Sequence, residues 1–167
     1  NIINMAIIPV RYVPKILTRR DKKKQKGELK KSRKAYKKGK YHTRKRVSSF
    51  KSKTSPHITK ARKLYKVDKI TASQKLAKKT KCTRKALAKI VNKGKGAYFS
   101  SGSRPNQTGH SWGRARLASS ITGGKAAAVD YNILKEGCKS NSPALRRART
   151  ARRKHGYGTR RVKSVKL

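Results

Sequence analysis

The stretch of sequence that decides this fold is GKGAYFSSGSRPNQTGHSWGRARLASSITGG, residues 94–124. It holds seven of the twelve glycines, the one tryptophan and one of the two phenylalanines. Glycines are frequent where the backbone turns tightly or is approached closely, and clustered aromatic residues indicate burial or stacking. We therefore predict that Tyr98, Phe99 and Trp112 form the structural core of this motif. Three arginines of the motif are predicted to point outward, namely Arg104, Arg114 and Arg116.

The composition around this motif is strongly basic. Among 167 residues, 50 are Lys or Arg and 5 are Asp or Glu, which gives a formal charge of +45, while 34% are hydrophobic. We expect a small core and strong self-repulsion unless a polyanion or an acidic partner neutralises the chain. Nucleic acid is the default partner because bound cations release condensed counterions from phosphates, and an anionic membrane surface is the weaker alternative.

The start of the chain and its cysteines give expectations about processing and compartment. Residues 1–4 precede the single methionine, Met5, which we expect to be the natural start. No apolar run is long enough for a signal sequence or a membrane span, so we expect a soluble protein made in a reducing compartment. Cys82 and Cys138 are far apart and lack metal-site spacing, and we predict free thiols.

Residues 1–54 are predicted to form a basic arm. Residues 6–17 alternate apolar and polar positions around two prolines, which is typical of an extended arm or an edge strand. Thr18 is a predicted N-cap for a helix over residues 19–38, in which Leu29 and Tyr36 are the few apolar contacts. We expect this helix to be ordered only against an anionic surface; a disordered basic arm is the open alternative.

Two short helices in the middle of the chain have the dimensions of a helix-turn-helix. Ser55 and Pro56 start a preceding helix, the capping pair Thr71 and Gln74 starts the first helix of the pair, and the second runs over residues 83–92. Basic residues of the pair are predicted to contact phosphates or enter a major groove; they are Lys78, Lys79, Lys81, Arg84, Lys85 and Lys89. An ordinary helical hairpin with a lysine-rich exposed face is the alternative.

The remaining elements follow from local start and stop signals. Gly94 and Gly96 are predicted to end the second helix of the pair, and residues 97–100 to form a strand. Helices are predicted from Ser111 to residue 122 and over residues 126–134. Ser142, Pro143 and Gly156 mark a last helix, followed by a basic tail. This helix carries five arginines that we predict to bind polyanions, namely Arg146, Arg147, Arg149, Arg152 and Arg153.

These elements predict an α+β fold. We expect a small, mostly helical body with a short strand and loop element at about residues 55–134, flanked by extended basic arms. The corresponding domains are a basic N-terminal arm over 1–54, the body over 55–137 and an arginine-rich helix and tail over 138–167.

The residues do not assemble into a recognisable reaction centre. No carboxylate lies between Asp68 and Asp130, which argues against hydrolase or two-metal nuclease chemistry, and no spacing supports a nucleophile and base built on His110. Gly124 lacks the flanking residues of a nucleotide-binding loop. We expect no enzyme activity, metal, cofactor or small-molecule substrate. The arginines of residues 94–124 either bind a phosphate or carboxylate or tie loops to backbone carbonyls, and both interpretations stay open.

Three segments together resemble an uncharacterised domain family of large double-stranded DNA viruses, notably algal and amoebal nucleocytoplasmic viruses. They are IPVRYVPKIL at 8–17, KKSRKAYKKGKYHTRKRV at 30–47 and GAYFSSGSRPNQTGHSWGRARLASSITGGKAAAVDY at 96–131. The resemblance covers residues 7–134 and implies a viral origin, without an activity that could be transferred. It implies a minor capsid or internal virion protein, made in the host cytoplasm or nucleus, whose partners are capsid proteins, other virion proteins or the genome.

Two other functions stay open at this point. A viral DNA-binding protein could condense or regulate the genome through the helix pair. A ribosomal-type RNA-binding protein is the function that composition alone suggests, because basic arms on a small body suit threading through folded RNA.

Overall fold

The computed structural model describes residues 7–158 and 162–167. Met5, the expected start, lies outside these residues. Within them the fold is mostly helical with one small antiparallel sheet, which confirms the predicted α+β class. The elements in chain order are β1 (Ile7–Pro9), a 3-10 turn (Val10–Tyr12), α1 (Arg19–Lys37), α2 (Pro56–Tyr65), α3 (Gln74–Thr80), α4 (Arg84–Ser100), α5 (Gly109–Ile121), α6 (Lys125–Val129), α7 (Tyr131–Gly137), α8 (Pro143–His155) and β2 (Ser164–Lys166).

Three separate segments of the chain form a first compact unit, consisting of residues 7–53, 95–109 and 162–167. Strands β1 and β2 pair antiparallel in it, with Ile8 opposite Val165. Ile8 is buried, as is expected of an apolar residue on the inner face of a strand pair. The residues predicted as an N-terminal arm therefore belong to a compact unit, and part of the predicted basic tail is strand β2.

Helix α1 is ordered by contacts with its own unit. Thr18 caps it by accepting a hydrogen bond from the backbone N–H of Asp21, as predicted. Its buried face is largely polar and consists of Asp21, Gln25, Leu29 and Ser32. Gln25 Nε2 donates to the carbonyl of Tyr12 over 3.1 Å, so burial leaves this amide paired. The expectation that α1 needs an anionic surface for order was wrong, because polar side chains at helical spacing make the contacts that apolar ones usually make.

The second compact unit consists of residues 54–94 and 110–158 and holds the larger core. Many of its buried residues are small, and α8 packs against α6 and α7 through its own alanines. Small side chains let helices approach closely, so a short apolar inventory still fills the interior. The buried residues include Ala61, Tyr65, Leu76, Leu87, Ile90, Leu117, Ala118, Ile121, Ala127, Ala128, Leu134, Ala144, Leu145 and Ala148.

Helix α4 is longer than predicted. Gly94 and Gly96 do not end it, and residues 97–100, predicted as a strand, form its last turn. A β-carbon on Gly94 would lie 2.6 Å from the Cα atom of Gly113 in α5. Glycine at position 94 thus permits the close approach of two helices and does not act as a stop signal.

Several predicted helix starts and ends agree with the structure and others do not. Ser55 caps α2, Ser142 caps α8 and Gly156 follows α8, as predicted. Helix α3 is capped by Ser73 instead of Thr71, and α5 begins at Gly109 instead of after Ser111. The single helix predicted over 126–134 is two short helices, α6 and α7, because the chain leaves the helical path around Asp130.

Cys82 and Cys138 form a disulfide bond, so the prediction of free thiols was wrong. The Cα atoms of the two residues are 3.9 Å apart. Their neighbours pair as well, since the N–H of Thr83 donates to the carbonyl of Gly137 over 2.8 Å. The turn before α4 and the end of α7 therefore meet as an antiparallel bridge, a contact that a separation of 56 residues conceals in the sequence.

Candidate nucleic-acid interface

Three of the five acidic side chains point into the structure, and this determines which charges remain on the surface. Asp21, Glu28 and Asp130 are engaged by internal hydrogen-bond donors, whereas Asp68 and Glu136 are exposed. Carboxylates that point inward leave the outer surface to lysine and arginine. The arrangement therefore raises the positive potential of the exposed faces beyond what the composition requires.

Asp130 is the most buried of these carboxylates. Arg116 binds it with two hydrogen bonds, from Nε to Oδ2 over 2.9 Å and from Nη2 to Oδ1 over 2.7 Å. Ser120 donates a third over 2.9 Å, and Lys93 Nζ lies 3.6 Å from Oδ1. The two-point contact matches the planar fork of arginine to the carboxylate. Arg116 was predicted to point outward to a polyanion, and the structure corrects this because its partner is internal.

Asp21 and Glu28 hold the segment after α1. Asp21 accepts hydrogen bonds from the hydroxyl and the backbone N–H of Ser49, which lower its pKa below the ordinary value. Burial acts to raise the pKa of Glu28, but hydrogen bonds from His42 and the backbone N–H of Lys45 outweigh it, so this pKa is also lowered. His42 Nε2 lies 2.6 Å from Glu28 Oε2. Both carboxylates are thus structural groups of the first unit.

Arg44 is buried in the first unit and contacts neutral oxygens. Its guanidinium donates to the carbonyl of Tyr98 over 2.7 Å and to the hydroxyls of Ser32 and Ser103, each over 2.8 Å. It also lies 3.7 Å from the centre of the Tyr98 ring. Burial lowers the pKa of Arg44. This side chain fastens the segment after α1 to the end of α4 and to the loop that follows.

Asn106 also fixes the loop that follows α4, through hydrogen bonds of its side chain. Its backbone has a φ of 62°, in the left-handed region that asparagine tolerates well. Its side-chain oxygen accepts from the N–H of Val47 over 2.8 Å, and its amide donates to the carbonyls of Val47 and Phe50. The loop at residues 101–108 is therefore tied down by side chains from the predicted motif.

Four aromatic residues of the first unit form what we call the aromatic cluster, namely Tyr36, Tyr41, Tyr98 and Phe99. Tyr98 is fully buried and meets Phe99 edge to face, with ring centres 4.9 Å apart. Tyr41 lies 5.1 Å from Phe99 and 6.3 Å from Tyr36. Tyr98 and Phe99 are thus part of one packed group, as predicted. Trp112 belongs to the second unit and is half-buried.

The exposed side of α1 is a face that sequence reasoning did not single out as a site. We call it the α1 basic face. The polar residues Asp21, Gln25 and Ser32 mark the opposite, inner side at helical spacing, and this pattern could have indicated the orientation. The residues of the α1 basic face are Arg19, Arg20, Lys23, Lys30, Lys31, Lys34 and Lys37.

The predicted cations of the second unit divide into exposed and internal ones. The six residues of the helix pair, 78, 79, 81, 84, 85 and 89, are exposed. Lys78, Lys81, Arg84 and Lys139 line one shallow depression next to the disulfide. On α8, Arg146, Arg149 and Arg153 are exposed. Arg114 is exposed as predicted, and so is Arg104 of the first unit.

Two arginines of α8 are partly internal, which corrects their assignment to a polyanion surface. Arg152 donates to the carbonyl of Ala128 over 2.8 Å and lies over the rings of Tyr131 and Tyr157. Arg147 is half-buried, and its Cβ would be 3.2 Å from a β-carbon on Gly123. These contacts join α8 to its neighbours within the second unit.

Two other kinds of site have no candidate among the residues that the structure describes. No group of three or more His, Cys, Asp or Glu side chains in 7–158 and 162–167 is placed to hold a metal ion. Over the same ranges, none of the helices has the length and apolar character needed to cross a membrane.

The comparisons with known proteins assign a family and no activity. A family model described as a family of unknown function (DUF5824) matches residues 9–136. No curated protein and no solved structure matches the chain. The matched region runs from β1 almost to the end of α7 and so includes the α1 basic face, the aromatic cluster and the helix pair. Since it spans well over half of the sequence, the chain belongs to the family of unknown function DUF5824.

Proposed function

We propose that this protein binds nucleic acid through its phosphates, independently of base sequence, as a non-enzymatic structural component of a virion. The observation that supports this most is the inward placement of Asp21, Glu28 and Asp130, combined with cations on exposed helical faces in both units. A binding protein of this kind gains affinity from the counterions that its cations release from phosphates.

The α1 basic face favours nucleic acid over an acidic protein surface. Helix α1 has 19 residues and is about 28 Å long, since each residue adds about 1.5 Å. Cations recur along its exposed side at nearly every turn, from Arg19 to Lys37. A phosphate backbone presents charge at regular spacing over such a length, whereas acidic side chains on a protein are interspersed with other groups.

The resemblance to a domain of large DNA viruses supports the viral genome as the nucleic acid and the virus particle as the location of the protein. On this proposal the ligand is the viral genome, and the protein is an internal or capsid-associated component of the particle. Mass spectrometry of purified particles of a virus that encodes this chain should detect it in many copies. Its absence from particles that contain their full set of capsid proteins would exclude the virion role.

The binding function is tested by the salt dependence of DNA affinity. Fluorescence anisotropy with two duplexes of equal length and unrelated sequence should give equal affinities, and log K should fall steeply and linearly with log salt concentration. A shallow salt dependence would contradict binding through phosphates. A strong preference for one duplex at moderate salt would indicate base reading instead, for which Arg84, Lys85 and Lys89 on α4 are exposed candidates.

A further inference from the structure

We infer that the aromatic cluster is a stacking surface for unpaired bases, so that the protein binds single-stranded nucleic acid through bases as well as phosphates. The inference rests on the proposed function, because the phosphates of the same strand must bind the cations that border the cluster. It adds a ligand class, since a duplex hides the faces of its bases inside the stack and a single strand does not.

The outer rings of the cluster are accessible. Tyr41 is 73% exposed and Tyr36 is 40% exposed, so solvent reaches part of each ring. The Tyr41 ring is tilted by 54° from that of Phe99 and by 52° from that of Tyr36. Because neither neighbour lies parallel to Tyr41, a flat base can stack on the ring that solvent now contacts.

Buried residues of the first unit pack against Phe99, which Tyr41 contacts, so the ring of Tyr41 is held in place before a ligand binds. Phe99 packs edge to face on buried Tyr98, whose ring lies against the guanidinium of Arg44. Gly109 lies beneath Phe99, and a β-carbon there would be 3.0 Å from the Phe99 ring. A preorganised ring loses little conformational freedom on binding, which favours affinity.

The backbone turn at the end of α1 explains why Tyr36 and Tyr41 meet. The N–H of Lys40 donates to the carbonyl of Ala35, and the N–H of Gly39 donates to the carbonyl of Tyr36. These two bonds form a Schellman motif, in which glycine supplies the left-handed residue; Gly39 has a φ of +73°. The chain therefore reverses within a few residues and returns Tyr41 to the helix end.

Cations border the exposed rings. Lys37, Lys38 and Lys40 are exposed and lie in the chain between the two tyrosines, and the stem of Lys95 lies, with the ring of Phe99, near Gly109. Aromatic rings with adjacent cations are the combination by which proteins bind single strands without sequence preference, since every base has a flat face. The charge of this border matches a phosphate backbone and argues against an apolar peptide as the occupant.

The test compares two strands that differ only in their bases. An oligothymidine of about 20 nucleotides and an abasic strand of the same length carry the same phosphates. The full chain should bind oligothymidine about fivefold to 100-fold more tightly at the same salt concentration. Tyr41→Ala should reduce this ratio by about fivefold or more, and Tyr41→Phe should preserve it. Tyr157→Ala is the matched control, because Tyr157 is 75% exposed and lies in the second unit.

The outcomes separate the two proposals. Equal affinity for both strands with steep salt dependence, unchanged in Tyr41→Ala and Tyr36→Ala, would overturn the stacking surface and leave phosphate binding intact. Absence of binding to either strand and to duplex would overturn the proposed function. Should Tyr41→Ala fail to fold, nitration of tyrosines in the wild-type chain decides: oligothymidine should protect Tyr41 and the abasic strand should not, and equal protection would contradict stacking.

Discussion

Gly94 in α4 and Gly113 in α5 lie so close that a β-carbon on Gly94 would be 2.6 Å from the Cα atom of Gly113. Both glycines are buried in the second unit. The contact involves backbone, which cannot move aside as the end of a flexible side chain can. The close approach of the two helices therefore requires glycine at position 94.

Gly94→Ala should destabilise the protein by about 1–3 kcal/mol, because the added methyl group forces the two helices apart. Gly96→Ala is the matched control, since nothing lies within 4 Å of a β-carbon at Gly96. Alanine at a helix position without a steric conflict should be neutral or stabilise by up to about 1 kcal/mol. Urea unfolding followed by circular dichroism measures both changes, and equal effects of the two substitutions would refute the close approach.

Asp130→Asn should lower the free energy of unfolding by about 3 kcal/mol. The substitution leaves the half-buried guanidinium of Arg116 without its charged partner, and the single side-chain oxygen of asparagine cannot accept all the hydrogen bonds that Arg116 and Ser120 donate to the two carboxylate oxygens. Asp68→Asn is the comparison, because Asp68 is exposed and a surface change should stay within about 0.5 kcal/mol. A loss of stability in Asp68→Asn as large as that in Asp130→Asn would show that general charge, and not the internal ion pair, is responsible.

Reduction of the disulfide should lower stability by about 4 kcal/mol, the chain-entropy estimate for a closed loop of this length. The melting temperature of the wild-type chain should therefore fall when dithiothreitol is added. The Cys82→Ser, Cys138→Ser double variant should have the melting temperature of the reduced wild-type chain, with or without dithiothreitol. A thiol assay on the denatured, unreduced protein should detect no thiol, and two thiols per chain would contradict the disulfide.

Acidic pH should destabilise the first unit through Asp21 and Glu28. Their ordinary pKa values are 3.8 and 4.5, and both pKa values are lowered in the folded chain. The unfolded chain therefore takes up protons first, so the stabilisation is complete above about pH 4.5 and is lost as the pH falls through the folded values. Urea unfolding at a series of pH values should show this decline.

The variants Asp21→Asn and Glu28→Gln should make the dependence of stability on pH shallower in this range. Glu136→Gln should not, because Glu136 is exposed. An unchanged pH profile in the first two variants would assign the acid sensitivity to other groups.

The α1 basic face should contribute directly to DNA affinity. Replacing Lys23, Lys30 and Lys34 together by glutamine removes three cations from one side of the helix. The slope of log K against log salt concentration should become less steep by about 2 to 3, since each phosphate contact contributes about 0.9. Anisotropy titrations with duplex DNA over a range of salt concentrations measure the slope.

A triple variant with the same charge change elsewhere separates position from net charge. Lys60, Lys63 and Lys69 are exposed in the second unit and can be replaced by glutamine together. The slope should change less in this variant than in the α1 variant. Equal changes would mean that no particular face of the protein contacts the phosphates.

Features governed by neighbours in sequence could be predicted. Thr18, Ser55 and Ser142 each cap the helix that they were expected to cap, because the hydrogen bond of an N-cap is made within three residues. The helix α4 could not be bounded in this way. Whether a glycine ends a helix or permits a close contact depends on Gly113, which is not a local neighbour of Gly94.

The candidate interface shows the same division. Composition predicted a basic surface but not which sides of the helices form it. The inner side of α1 is polar, so it was not recognised as a packing face. Arg116 looked like its neighbour Arg114, and only the position of Asp130 distinguishes the internal arginine from the exposed one. The disulfide was hidden for the same reason, because residue separation in sequence says nothing about proximity in a helical core.

The pairing of β1 with β2 has a consequence for synthesis. Ile8 is among the first described residues that a ribosome makes and Val165 among the last, yet the two lie opposite each other in one strand pair. During translation β1 therefore stays unpaired, with many basic residues near it in the sequence, until the residues up to β2 have been made. We expect the nascent chain to attract RNA or chaperones at β1, and to complete its first unit only after β2 has left the ribosome.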